Sequence, residues 1–217
     1  MGKKRKNSAA TGKVVRVDPS CPDSGLIRDA VGVIREKGVL VFPTSGLYGM
    51  GADAFSPAAV RRIYSAKKRQ WHQPLLVLIS DRFELTRVVR SIPAYAIPLF
   101  SLWPGDITLI FDAADGVPDE LTGGTHKIGV RRPAHPVARA LVEAFGGPIT
   151  GTSANLSGSP AAYEIHQIPL EIRKKVEIML DAGPLGGGSG STILDVSSWP
   201  VRLIREGRVS FLSLIHI

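Results

Sequence analysis

Residues 66–78 read AKKRQWHQPLLVL, which sets Lys67, Lys68 and Arg69 directly before an apolar run. A cation cluster at the mouth of a buried strand has two readings, a solvated helix end or a pocket for an anion. Two further stretches carry groups of the matching kind. TSANLSG offers the hydroxyls of Thr152, Ser153 and Ser157 and the Asn155 amide. PTSGLYGMG offers small side chains and backbone N–H groups. With Arg131 of GVRRP, the inventory of cations, hydroxyls and glycine-rich backbone is one that binds phosphate. The residues alone stop at an anion site.

Other chemistries find less support. No G-x-x-x-x-G-K-[ST] is present, and Gly46, Gly49 and Gly51 have the spacing GxxGxG rather than the dinucleotide GxGxxG. His72, His126, His135, His166 and His216 show no zinc-ligand spacing, and there is no G-x-S-x-G elbow. Cys21 is the single cysteine, which excludes an internal disulfide and a Cys-cluster metal site.

The elements that must position these groups alternate between strand and helix. Leu26, Ile27, Ala30, Val31 and Ile34 have helical spacing, with Gly38 as the expected C-cap. VLVF (39–42) is a buried strand, followed by a glycine-rich loop over 44–55. Ser56 and Pro57 open a second helix, and PLLVLIS (74–80) is a second buried strand. Asp81 with Glu84 opens another helix, and strands follow in WPGDITLIF, KIGVRRP, PITGTS, STILDV and VRLIREG. Pro136 and Gly146 bracket a helix between two of them. The expectation is a single α/β domain over 21–210 with one large, twisted, mixed sheet.

The chain has 217 residues, 44% of them hydrophobic, and a net charge of +8. That charge favours anionic partners such as nucleotide or nucleic acid without choosing between them. Part of it sits at Lys3, Lys4, Arg5, Lys6 and Lys13, in a stretch expected to be a flexible tail over 1–20. A solubilising tail and an RNA-binding arm are both open. No apolar run is long enough for a membrane helix, and no secretory h-region follows the basic start, so a cytoplasmic protein is expected. Residues 211–217 are left unassigned.

Six ordered motifs carry a resemblance. They are FPTSGLYGMGADAF, AKKRQWHQPLLVL, LWPGDITLIF, KIGVRRPAHPVARALVEAFGGPITGTSANLSGSP, DAGPLGGGSGSTILDV and RLIREG. Over residues 24–208 the chain resembles the YrdC-like family, the threonylcarbamoyl-AMP synthases of tRNA modification, in its short single-domain form. The resemblance implies a twisted sheet with a basic concave face. It implies that L-threonine, bicarbonate and ATP, with Mg²⁺, give threonylcarbamoyl-AMP and pyrophosphate. Downstream transfer proteins then pass the threonylcarbamoyl group to an adenosine of tRNA, and the basic face offers a place for the tRNA.

By the same resemblance Lys67 and Arg69 are the catalytic K-x-R pair, and Ser153 and Asn155 are the S-x-N pair. Gln73, Lys127 and Arg205 join these four as ATP-facing groups. Gly46, Arg131, Gly151 and Ser191 face threonine or the carbamate. Ser45 and Gly46 stand where the family has an acid and a threonine, and Gln70 stands where it has proline. The hydroxyl missing at Gly46 removes one hydrogen bond, about 0.5–1.5 kcal/mol. Two rivals are weighed: a nucleotide- or RNA-binding module of the same fold without synthase activity, and the carbamoyl-transfer domain of hydrogenase maturation proteins. The single cysteine counts against the second.

Overall fold

The computed structural model describes residues 11–213. Ten strands form one mixed sheet: β1 (Lys13–Arg16), β2 (Leu40–Pro43), β3 (Tyr48–Gly51), β4 (Leu76–Leu78), β5 (Ile107–Asp112), β6 (Lys127–Arg131), β7 (Ile149–Ser153), β8 (Ile178–Asp181), β9 (Thr192–Asp195) and β10 (Arg202–Arg205). The helices are α1 (Ser24–Arg35), α2 (Pro57–Lys67), α3 (Arg82–Val88), α4 (Asp119–Thr122), α5 (Pro136–Phe145) and α6 (Leu170–Arg173). The strand order is β1-β8-β2-β3-β7-β4-β6-β5-β9-β10. Pairs β1/β8, β2/β8, β4/β6 and β5/β9 are parallel, and the other five are antiparallel. No helix among the described residues is long and apolar enough to cross a membrane.

Alternation along each strand sends side chains to two cores. Val41, Tyr48, Met50, Val77 and Val130 meet Val60 and Ile63 of α2 and Leu85 of α3 on one face. Leu40, Phe42, Leu78 and Ile149 meet Ile27, Val31 and Ile34 of α1 and Leu141 of α5 on the other. The helix starts follow their caps: the side chains of Ser56 and Asp81 accept the N–H of Ala59 and Glu84.

Three expectations change. The tail ends before Lys13, because Lys13–Arg16 pair with Ile178–Asp181 in β1; Lys3, Lys4, Arg5 and Lys6 lie outside the described residues. The glycine-rich stretch after β2 is only partly loop, since Tyr48–Gly51 form β3. There the glycines serve packing: a Cβ on Gly51 would lie 2.7 Å from Phe42 Cε1. At the end of α1 the left-handed residue is Lys37 (φ 62°), the C-cap is Glu36, and Gly38 N–H closes on Val33 O at 2.8 Å. Of the unassigned C-terminal residues, Phe211–Ser213 form a 3₁₀ turn with Phe211 against the core; the rest lie outside the described residues.

Candidate active site

A cleft of about 680 Å³ opens where β7 meets its neighbours, and a second hollow of about 470 Å³ adjoins it. The two share Arg69, Ser153 and Asn155. Their combined size suits a nucleotide with a small second ligand. Lys67, Lys68, Arg69, Lys127, Arg131 and Arg205 line this space, against one lining carboxylate, Asp195. Of the residues expected at the site, Gln73, Gly151 and Ser191 also line it, and Gly46 does not.

Lys67 ends α2 and is 1% exposed. Its Nζ donates to Asn155 O at 2.7 Å, to Asn155 Oδ1 at 3.2 Å and to Ser153 O. Desolvation, and then the charge of Arg69, pull the ammonium down to about 7. Lys67 therefore fixes the S-x-N segment and lines the smaller hollow beside it. Ser153 Oγ donates to Asn155 Oδ1, and Asn155 Nδ2 donates to Leu156 O and Ser159 O. The Arg69 guanidinium binds Gln73 O (3.0 Å) and Pro74 O (2.9 Å), which folds the 70–73 turn against the start of β4. Tyr64 Oη donates to the same Gln73 carbonyl. Lys68 takes the left-handed C-cap, and its exposed Nζ stands 3.9 Å from Glu171, as a solvated residue does.

Arg131, at the end of β6, is 8% exposed. It donates to Gly105 O (2.8 Å), Ser45 Oγ (3.2 Å) and Asp106. Burial lowers its pKa and Asp106 opposes that, so the guanidinium stays charged at neutral pH. Lys127, at the other end of β6, is engaged by Asp195 (2.9 Å) and Ser197 (2.7 Å). Burial by itself raises the Asp195 pKa, but hydrogen bonds from Ser197, Lys127 and Arg202 bring it down to about 2. Much of the Lys127 charge is thus already answered. Ser191 Oγ shares a hydrogen with Thr108 Oγ1 at 2.7 Å, and Arg205 Nη2 donates to Ser191 O at 2.8 Å.

Sequence reasoning named Ser45 only as a departure from the family pattern and did not find Asp106, Asp195, Thr108 or Arg208. Asp106, just before β5, and Asp195, at the end of β9, had no local signal, because the cations they hold on β6, Arg131 and Lys127, are distant in sequence. Arg208 had none, because its partners Asp106 and Gly187 are distant in sequence.

The arrangement can bind a polyanion along Arg69, Arg131 and Arg205, with hydrogen bonds from Ser153 and Asn155. A family model for Sua5, YciO and YrdC, described as telomere recombination, matches residues 32–207. The threonylcarbamoyl-AMP synthase of Pyrococcus abyssi is 38% identical over 182 residues, 83% of this chain and 54% of that protein. The Bacillus subtilis enzyme of the same name is 36% identical over 186 residues, 85% of this chain and 54% of that one. The chain thus spans about half the length of these two relatives. The crystal structure of Pyrococcus abyssi Sua5 complexed with L-threonine superposes with a TM-score of 0.89 at 35% identity, covering 94% of this chain and 60% of that one. The family shown by this match over most of the chain is the one that the six motifs resemble: the protein belongs to the Sua5/YciO/YrdC family.

Proposed function

We propose that this protein is an L-threonylcarbamoyladenylate synthase, a nucleotidyltransferase that makes the activated donor for tRNA threonylcarbamoylation. One observation carries the proposal. Arg69, Arg131 and Arg205 converge with Ser153 and Asn155 on one cleft, in a chain whose relatives bear that enzyme name. The amine of threonine adds bicarbonate and loses water to give a carbamate. A carbamate oxygen attacks the α-phosphorus of ATP, the bond to the bridging oxygen breaks, and pyrophosphate leaves. Catalysis of such a step is mostly positioning and charge stabilisation.

Arg69 faces the triphosphate, and Lys67 acts through the S-x-N segment that it holds. Ser153 and Asn155 orient the nucleotide with Gln73, Lys127 and Arg205. Arg131 and Ser191 receive the carboxylate or carbamate beside Gly151, with Gly46 at the rim. Mg²⁺ enters with ATP, carried by phosphate oxygens. Asp106 and Asp195 are each already held by two cations, and a Mg²⁺ ion needs few protein ligands when phosphate supplies them. The product passes to downstream transfer proteins, with tRNA on the basic face, in the cytoplasm.

The test is pyrophosphate release from ATP and bicarbonate with threonine, with serine and with no amino acid. Threonine-dependent release is expected. Arg69→Ala should lower turnover at least tenfold, which is about 1.4 kcal/mol, with the fold retained. Tight ATP or RNA binding with no release under any condition would replace the synthase by a binding module, whose affinity for RNA would fall steeply with salt.

A further inference from the structure

Arg208 lies just outside the cleft and touches three parts of its rim. Its backbone N–H donates to Gly190 O at 2.9 Å. Its Nη1 donates to Gly187 O at 2.7 Å, and its Nε lies 3.2 Å from Asp106 Oδ2. The other oxygen of Asp106 is held by Arg131. Two arginines therefore share one carboxylate, and the group keeps a net positive charge beside the cleft.

The glycine-rich strap 183–190 crosses this point. Tyr48 Oη donates to Gly183 O at 2.6 Å and fixes one end. Leu185 N–H reaches Tyr163 O, and Gly187 N–H reaches Gly46 O, both at 2.9 Å. Gly183, Gly187 and Gly188 have positive φ, so the strap follows a path that side chains would resist. Gly46 is the matching surface. A Cβ there would fall on the Arg208 guanidinium and lie 2.5 Å from Gly187 O. The bare backbone at 46 makes room for both.

We propose that Arg208 is a positioning residue of the cleft, with two linked effects. It clasps the strap 183–190 onto Gly46, and by sharing Asp106 it leaves the Arg131 guanidinium charge available to an anionic ligand. Without Arg208, Asp106 belongs to Arg131 alone, and the pair becomes neutral. A small carboxylate or carbamate at Arg131 then loses its long-range attraction. Gly46 and Arg208 act as one unit, so their substitutions do not add.

The experiment combines kinetics with hydrogen exchange on the full chain. Arg208→Gln is expected to raise KM for the amino acid about tenfold, with KM for ATP and kcat within about twofold. Arg208→Lys, which keeps the charge, should stay within about threefold of the parent KM. Gly46→Ala should resemble Arg208→Gln, and the double variant should be no worse than either single one. Amide exchange in 183–190 should quicken in Arg208→Gln and Gly46→Ala without any ligand.

Equal KM losses in Arg208→Gln and Arg208→Lys would overturn the charge role. Unchanged strap exchange would overturn the clasp. A fall in kcat with equal KM losses for both substrates and a lowered Tm would reduce Arg208 to a structural residue. The KM arm rests on the synthase proposal, whereas the exchange arm does not. A parent protein without pyrophosphate release would defeat the synthase proposal, and strap exchange would then decide the clasp alone.

Discussion

At the residue scale Lys67 is the most informative group. Its three ammonium hydrogens find Ser153 O, Asn155 O and Asn155 Oδ1, yet burial and Arg69 bring its pKa to about 7. The folded protein thus binds this proton less tightly than the unfolded chain. Lys67 contributes no penalty above its unfolded pKa of about 10.4. Its cost develops as pH falls from there and is fully present below about 7. A polyphosphate in the adjoining hollow favours the protonated form and raises the pKa. ATP binding near pH 7.5 should therefore take up part of a proton. Calorimetry in two buffers of different ionisation enthalpy measures that uptake. It should vanish in Lys67→Met, and affinity of the parent should weaken by up to tenfold per pH unit above about pH 7. A buffer-independent binding enthalpy in the parent protein would refute this account.

At the element scale α1, α2, α3 and α5 were legible, because caps and periodicity act within a few residues, whereas the single turn α4 has no side-chain cap to announce it. Ser56, Pro57 and Asp81 begin α2 and α3 as their types require. β3 was hidden for a physical reason. Tyr48, Met50 and Ala52 alternate inward, but Gly49 and Gly51 between them read as a loop. The smallness of Gly51 is dictated by Phe42 of the neighbouring strand and that of Gly49 by Thr44 just after it, contacts that the sequence pattern does not reveal. Likewise the cations were legible as types, while their counter-charges depend on strand order: Asp106 meets Arg131 through the pairing of β5 with β6, and Asp195 meets Lys127 across β5. The β2/β3 packing makes a direct prediction. In Gly51→Ala the new methyl meets Phe42 Cε1 at 2.7 Å and Thr150 O at 3.0 Å, and only the ring can yield. The variant should lose about 1–3 kcal/mol, seen as a lower urea midpoint at unchanged slope. An unchanged midpoint would mean that Phe42 has room to turn.

At the scale of the whole molecule, β7 is the seam. On one side it pairs with β3 through Gly49↔Ser153 and Met50↔Thr152. On the other it pairs with β4 through Leu76↔Gly151, Val77↔Thr150 and Leu78↔Ile149. The cleft takes Thr44 and Tyr48 from the first half of the sheet, and Arg131, Ser191 and Arg205 from the second. A ligand there touches both halves, and the site exists only while they are joined. Both cores also cross the seam: Val41 and Val130 belong to one, Phe42 and Leu78 to the other. The protein should therefore melt in a single transition, and ATP should move all of it. At a hundred times its Kd, a ligand adds about 2.7 kcal/mol, or roughly 5–11 °C in Tm for a chain of this size. Scanning calorimetry with and without ATP tests this, with Arg69→Ala as the variant whose shift should shrink. A second transition that ATP leaves in place would show that one half of the sheet folds independently of the cleft, and would confine the nucleotide to the other half.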